Sequence, residues 1–187
     1  MEEKFRQIPG DCIKVVLFGP ESTGKSTLAE RLANLYDTEW VPEFMRDYLQ
    51  KKWDKEEKQI SKEDLLPIAE GQIRLENEKV IHANSYLFCD TNLRELKVYC
   101  RYYYNGFCPS EILEAADNHE YHHYFLTDID LPWVADDLRD RPDDRQNMFR
   151  IFEQELIENN LPYTLLSGSL EERIEKATQV LETLKLN

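Results

Sequence analysis

A chain of 187 residues with 41% hydrophobic content is long enough to bury one sizeable core, which points to a single α/β domain without a linker. Its 37 acidic against 23 basic residues leave a formal net charge of -14, which excludes nucleic acid as a partner, since a polyanion needs a basic stripe, and disfavours an anionic membrane surface. A small substrate carrying its own phosphate remains admissible, because a local nest of backbone amides outweighs distant like charge screened within about 10 Å.

Ile13 to Phe18 is a nearly continuous apolar run that ends on glycine, the pattern of a parallel strand covered on both faces and the expected centre of a sheet. Leu28, Leu32 and Leu35 then recur at helical spacing, predicting a helix from about Lys25 to Tyr36. Thr38 to Val41 is short and β-prone, Pro42 closes it, and Glu43 to Trp53 reads as helix. Asp54 to Lys58 is a solvated charge run. Ser61 with Asp64 three residues on resembles a capping pair, and Leu65, Ile68, Ala69, Ile73, Leu75 and Val80 carry a long helix to about Ala83.

Ser85 to Asp90 is a second buried strand that stops on a carboxylate, followed by a helix from Leu93 to about Tyr104, a turn at Gly106 and another helix from Pro109. Tyr121 to Thr127 and Tyr163 to Ser167 read as further strands, and the last helix runs from about Leu170 to Leu186. Strands alternating with helices imply a parallel sheet of about five strands, helices on both faces, and ligand loops at the carboxyl ends of the strands. Cys12, Cys89, Cys100 and Cys108 form no C-x-x-C pair, and no run of roughly 18 apolar residues occurs, so reduced thiols and a cytoplasmic location are expected.

Gly19-Pro20-Glu21-Ser22-Thr23-Gly24-Lys25-Ser26 matches G-x-x-x-x-G-K-[ST] between a strand and a helix, the P-loop of nucleoside triphosphate enzymes. The glycines let backbone amides turn toward the phosphates, Lys25 is expected to reach the β- and γ-phosphates of ATP, and Ser26, with Thr27 beside it, to ligate Mg2+. Asp90, at a strand end, is the expected carboxylate of the magnesium shell. A phosphoryl acceptor needs a base near its hydroxyl, and the first place to look is the end of the second strand, next to the P-loop. There Glu43 and Arg46 sit one helical turn apart and can face one cleft, although an ordinary surface ion pair has the same spacing.

The segment from Asp130 to Arg145 carries Arg139, Arg141 and Arg145 among many aspartates, a lid over the phosphates or a solvated loop. Arg139 and Arg145 are the better candidates for neutralising charge. Gly168, in Ser167-Gly168-Ser169, marks a place for the adenine edge, with Arg173 nearby. His119, His122 and His123 beside Glu120 lack a matched partner cluster for a metal. Tyr102, Tyr103 and Tyr104 read as core and rim before they read as a stacking platform.

Several segments together resemble the ribosylnicotinamide kinase domain of the bacterial NadR family, within the wider P-loop ATPase and kinase group, from Lys14 to about Lys176. The resemblance lies in the P-loop with its Glu-Ser filling, in Glu43-Phe44-Met45-Arg46-Asp47-Tyr48, in Asp90-Thr91-Asn92 with Cys100 and Tyr103 downstream, and above all in Pro132-Trp133-Val134-Ala135-Asp136-Asp137-Leu138-Arg139. It implies phosphorylation of the ribose 5′-hydroxyl of nicotinamide riboside by ATP with magnesium. Glu43, Arg46, Asn92 and Trp133 would then border the acceptor, Asp90 would serve metal or hydroxyl activation, and Arg139 would belong to a lid at about residues 130–147. The family's adenylyltransferase domain is not represented in the chain, so dinucleotide synthesis by it alone is not expected. Two positions depart from the pattern on the acceptor side: Pro42 stands where the family often has tryptophan, and Asn92 where it has a second aspartate. A different nucleoside or a vitamin precursor is therefore an alternative acceptor, and a nucleotide-dependent switch or ATPase an alternative class, against which the Trp133 to Arg145 segment counts. A plain binding module is disfavoured by the presence of both Lys25 and Asp90.

Overall fold

Ile13–Phe18 forms β1, and its apolar run is buried because parallel neighbours cover both edges and helices cover both faces. The computed structural model describes residues 2–135 and 142–185. After β1 come α1 (Lys25–Leu35), β2 (Glu39–Val41), α2 (Phe44–Glu56), α3 (Leu65–Val80), β3 (Tyr86–Asp90) and α4 (Leu93–Tyr103). Then follow α5 (Ser110–Asn118), β4 (His123–Thr127), α6 (Arg145–Glu158), β5 (Tyr163–Leu166) and α7 (Leu170–Leu184). The five strands of the described residues are parallel, as expected from the alternation of strands and helices, and lie in the order β2-β3-β1-β4-β5.

Register decides what meets at the carboxyl edge of the sheet. Leu17 pairs with Asp90 and Phe18 with Leu126, so the loop after β1 emerges between Asp90 on one side and Thr127 on the other. Alternation along β1 sends Val16 and Phe18 into one core with Val98 and Tyr99 of α4 and Phe149, Phe152 and Leu156 of α6. Val15 and Leu17 enter the opposite core, with Leu28, Ala29 and Leu32 of α1 and Ala177 and Leu181 of α7. A third cluster joins Phe5, α3, α4 and α5 through Leu65, Ile68, Ile73, Leu96, Cys100 and Ile112.

One expectation about the sheet is corrected. Among the described residues β2 is an edge strand paired with β3 alone, so one strand separates it from β1, although the residues that follow its end reach the same cleft as the P-loop. Nothing in the order of elements along a chain sets their order in a sheet, because a crossover can step past a position that a later strand fills. Several boundaries also differ: α2 runs through the charged stretch to Glu56 before Glu57 stops it in a left-handed conformation (φ 50), and β4 starts at His123 rather than Tyr121. The Ser61–Asp64 pair is a capping box with both reciprocal hydrogen bonds, seated on a 3₁₀ turn (Lys62–Asp64) that leads into α3.

α2 buries none of its residues fully, yet its first turn is held firmly against α3. A Cβ at Gly71 would lie 2.1 Å from the Phe44 ring, so only glycine lets the two helices approach this closely. Beside it, Gln72 accepts from the Phe44 backbone N–H at 2.8 Å and donates to the Pro42 carbonyl at 3.3 Å. These contacts set the direction in which Glu43 leaves β2. The four cysteines are free, with Cys108 partly exposed and the other three buried, and among the described residues no helix is long and apolar enough to cross a membrane.

Candidate active site

The loop after β1 is held in its curve by two glycines and three supports. Gly19 (φ 139) lies so close to β4 that a Cβ there would sit 2.8 Å from the Thr127 hydroxyl, and Gly24 (φ 82) caps α1 in the left-handed region. Inside the curve the Thr23 hydroxyl donates to the Pro20 carbonyl at 2.8 Å and lies 2.7 Å from that of Thr127. Beneath it Arg173 of α7, only 2% exposed, donates to the carbonyls of Thr23 (2.6 Å), Gly168 (3.1 Å) and Asp128 (3.3 Å) and pairs with Asp130. On the outer side Arg145 donates to the carbonyls of Leu131 (2.9 Å) and Ser22 (3.2 Å), and the Val134 N–H donates to the Ser22 hydroxyl at 2.9 Å. Residues 131–134 thus strap onto the phosphate loop.

The loop opens into a cleft of about 300 Å³ lined by residues 21–27, Glu43, Met45, Arg46, Leu49, Glu95 and Tyr99. The convergence of Lys25, Ser26, Glu43 and Arg46 follows the sequence expectation. At its floor the Lys25 ammonium donates to the carbonyls of Gly19 (2.7 Å) and Pro20 (2.9 Å) and pairs with Glu95 at 3.3 Å. Asp90 is buried at the end of β3, with Ser26 beside it favouring its ionised form. Its Oδ1, and Oε2 of Glu95, are buried without a hydrogen-bond partner. An anionic oxygen beside a hydroxyl at a phosphate loop fits a hard dication that takes its remaining ligands from phosphate and water. Among the described residues no group of three His, Cys, Asp or Glu could hold a metal by itself.

Crowding of carboxylates in a buried cleft changes their protonation. Burial raises Glu43 to about 7, with Asp90 adding to the rise and Lys25 and Arg46 opposing it. Glu95 is raised to about 8, chiefly by burial and against the pull of Lys25. Burial also lifts Asp90, again against Lys25. For Lys25 burial favours the neutral amine, but Glu95, Glu43 and Asp90 together outweigh it and hold the ammonium above its ordinary range.

A second, more apolar pocket of about 310 Å³ continues from the cleft, sharing Glu21, Met45, Leu49 and Tyr99 and extending to Trp53, Leu96, Tyr103 and Tyr104. Two of the three consecutive tyrosines therefore wall a cavity, whereas Tyr102 turns away to hydrogen-bond Asp144. Other expected residues are placed elsewhere. Asn92 spends its side chain capping α4, accepting from the N–H groups of Arg94 and Glu95 and donating to the Tyr124 hydroxyl, so it does not reach the cleft. Trp133 lies against the Arg145 guanidinium (5.7 Å) behind the loop, with Pro20 and Tyr103, and does not line the cleft either. Gly168 serves as a support for Arg173. Arg139 lies outside the described residues. His119, His122 and His123 make separate hydrogen bonds, with the Phe5 carbonyl, the Lys14 N–H and the Thr164 hydroxyl.

Comparison with known proteins agrees with the resemblance read from the residues. A family model described as an AAA domain matches residues 14–173. The trifunctional NAD biosynthesis/regulator protein NadR of Escherichia coli (strain K12) is 30% identical over 151 residues, 80% of this chain and 37% of that protein. The chain therefore spans a little over a third of the curated relative it matches. A crystal structure of a NadR protein in complex with NR superposes with a TM-score of 0.73 at 19% identity, covering 93% of this chain and 52% of that one. A NadR structure in complex with NAD and AMP-PNP gives a TM-score of 0.74 at 18% identity, covering 95% and 51%. At such identities these two structures establish a shared fold.

Proposed function

The chain belongs to the AAA-domain family, and from that premise we propose that it is an ATP-dependent small-molecule kinase that phosphorylates the ribose 5′-hydroxyl of nicotinamide riboside. The observation that carries this reading is a single cleft in which Glu43, a carboxylate raised to about 7, faces the P-loop lysine and opens onto an aromatic-walled pocket. A hydrolytic switch has no use for a preformed cavity beside the base; an acceptor carrying a flat heterocycle does. The 30% identity to NadR supports the riboside as that acceptor.

In the proposed reaction Lys25 and the amides of residues 19–26 hold the triphosphate. Ser26 and Asp90 would hold Mg2+, which when bound spreads charge away from the phosphate oxygens. Glu43 accepts the proton of the acceptor hydroxyl, whose oxygen bonds to the γ-phosphorus as the bond to the bridging β–γ oxygen breaks and ADP leaves. Arg46, one turn along α2, borders the same cleft and counters the negative charge that gathers there. Little covalent work falls to the protein beyond positioning and charge neutralisation. Arg145 contributes by holding residues 131–134 against Ser22, and the same strap carries the start of the proposed lid, about residues 130–147, of one kinase domain. The buried free cysteines support work in a reducing cytoplasm.

Incubation with magnesium-ATP and a panel of nicotinamide riboside, common nucleosides and thiamine, followed by quantification of ADP and phosphorylated product, tests the reading. Phosphorylated riboside is the expected product. ADP without any phosphorylated acceptor would leave an ATPase in its place.

A further inference from the structure

Of the three N–H donors of the Lys25 ammonium, two are used by the Gly19 and Pro20 carbonyls, and the charge is paired with Glu95 at 3.3 Å. A phosphate that draws the ammonium toward it therefore competes with these three partners. The Glu95 contact is the longest of the three at 3.3 Å and, because burial raises Glu95 to about 8, it carries the negative charge that an incoming phosphate repels only above that pH. Glu95 itself cannot follow the lysine. Its backbone is fixed in the first turn of α4, where its N–H donates to the Asn92 cap at 3.2 Å, and its side chain is 2% exposed. Its second oxygen has no hydrogen-bond partner and belongs to the wall that also presents Glu43, Arg46 and Tyr99.

We propose that Glu95 is a positioning residue that latches Lys25 before the donor binds, and that the lysine's transfer to phosphate frees the Glu95 carboxylate to accept a hydroxyl of the acceptor. Donor and acceptor binding are thereby coupled. This rests on the kinase reading of the cleft for its acceptor half, while the latch itself needs only a phosphate donor. Coupling of this kind is reciprocal, so each ligand tightens the other by the same factor. A factor of roughly five or more is expected, at the lower end of common coupling strengths.

Calorimetric titration of AMP-PNP, in buffer above the Glu95 value of about 8, into the wild type and Glu95→Gln tests the latch without any acceptor. The amide keeps the shape but holds the ammonium weakly, so AMP-PNP binds the variant roughly twofold to fivefold more tightly, the factor that one lost ion pair represents. Nicotinamide riboside titrated with and without AMP-PNP tests the coupling: it binds the wild type at least about fivefold more tightly with the nucleotide present, and the difference collapses toward unity in the variant. Unchanged AMP-PNP affinity in a folded Glu95→Gln protein overturns the latch. Weaker affinity confined to magnesium-containing buffer also overturns it, by making Glu95 a metal ligand. If the variant does not fold, the wild type decides alone, since independent binding of nucleotide and riboside contradicts the coupling. Failure of the kinase reading looks different: no phosphorylated product from the panel, with the AMP-PNP comparison still legible.

Discussion

Glu43 and Lys25 share one cleft but carry separable tasks, and single substitutions distinguish them. Lys25→Ala removes the cation aimed at the phosphates and should abolish product formation; an unchanged rate would remove Lys25 from the proposed role. Glu43→Gln keeps the shape of the base and takes away its proton affinity, so kcat should fall about 10²- to 10⁴-fold while the KM for ATP moves by no more than about threefold. The direction of the Glu43 shift adds a pH signature. A base acts once its proton is off, and burial with Asp90 nearby delays that loss to about 7. The acceptor kcat/KM should therefore climb with pH and flatten above about 7, and in Glu43→Gln that limb should be missing. A profile already flat at pH 5.5 would place the base elsewhere.

At the scale of elements, the position of Glu43 depends on how α2 crosses α3. Phe44 fills the space over Gly71, and Gln72 pins the backbone on either side of Glu43. Gly71→Ala inserts a methyl where the Phe44 ring lies 2.1 to 2.4 Å away, so the ring must move and Glu43 moves with it. The expected cost is about 1–3 kcal/mol in a denaturant titration, together with a lower kcat at unchanged AMP-PNP affinity. Loss of nucleotide affinity instead would mean that α2 supports the phosphate loop. This crossing was illegible in the sequence, where Gly71 and Gln72 look like ordinary residues of an amphipathic helix. Glu95 was missed for a similar reason, because an acid in a helix's first turn is already explained by the helix dipole. Arg173, one of many charges on the last helix, is the main support of the loop, and nothing local distinguishes it. By contrast β1, the phosphate loop and α1 were legible to within a residue, since an apolar run, two glycines and a leucine repeat each report local geometry. The edge position of β2 was not, because pairing partners are set by tertiary packing.

Over the whole molecule, buried acids make stability depend on pH in an unusual direction. Glu43 and Glu95 have folded values of about 7 and about 8 against an ordinary 4.5, so between those limits the native state binds more protons than the unfolded chain. Stability then falls as pH rises through the window. Two histidines oppose this at lower pH: burial lowers His119 and takes His123 to about 4 from 6.5, so their contribution is lost as pH drops below 6.5. Asp64 acts further down. Burial alone would raise it, but hydrogen bonds from Lys52, Ser61 and Tyr48 hold it at about 2, a stabilisation present above 3.8 and lost toward pH 2. Above pH 6.5 the histidine contribution is complete, and the two glutamates govern the trend up to about 8. The net charge of -14 acts in the same sense, since each lost proton adds to self-repulsion. The ligand-free Tm should therefore decline between pH 6.5 and 8 in thermal scans. Glu95→Gln separates the local cause from the global one, because the variant keeps nearly all of the surface charge and lacks the titrating group. Its Tm should decline less steeply over that interval, and equal slopes in the two proteins would assign the pH dependence to general charge repulsion.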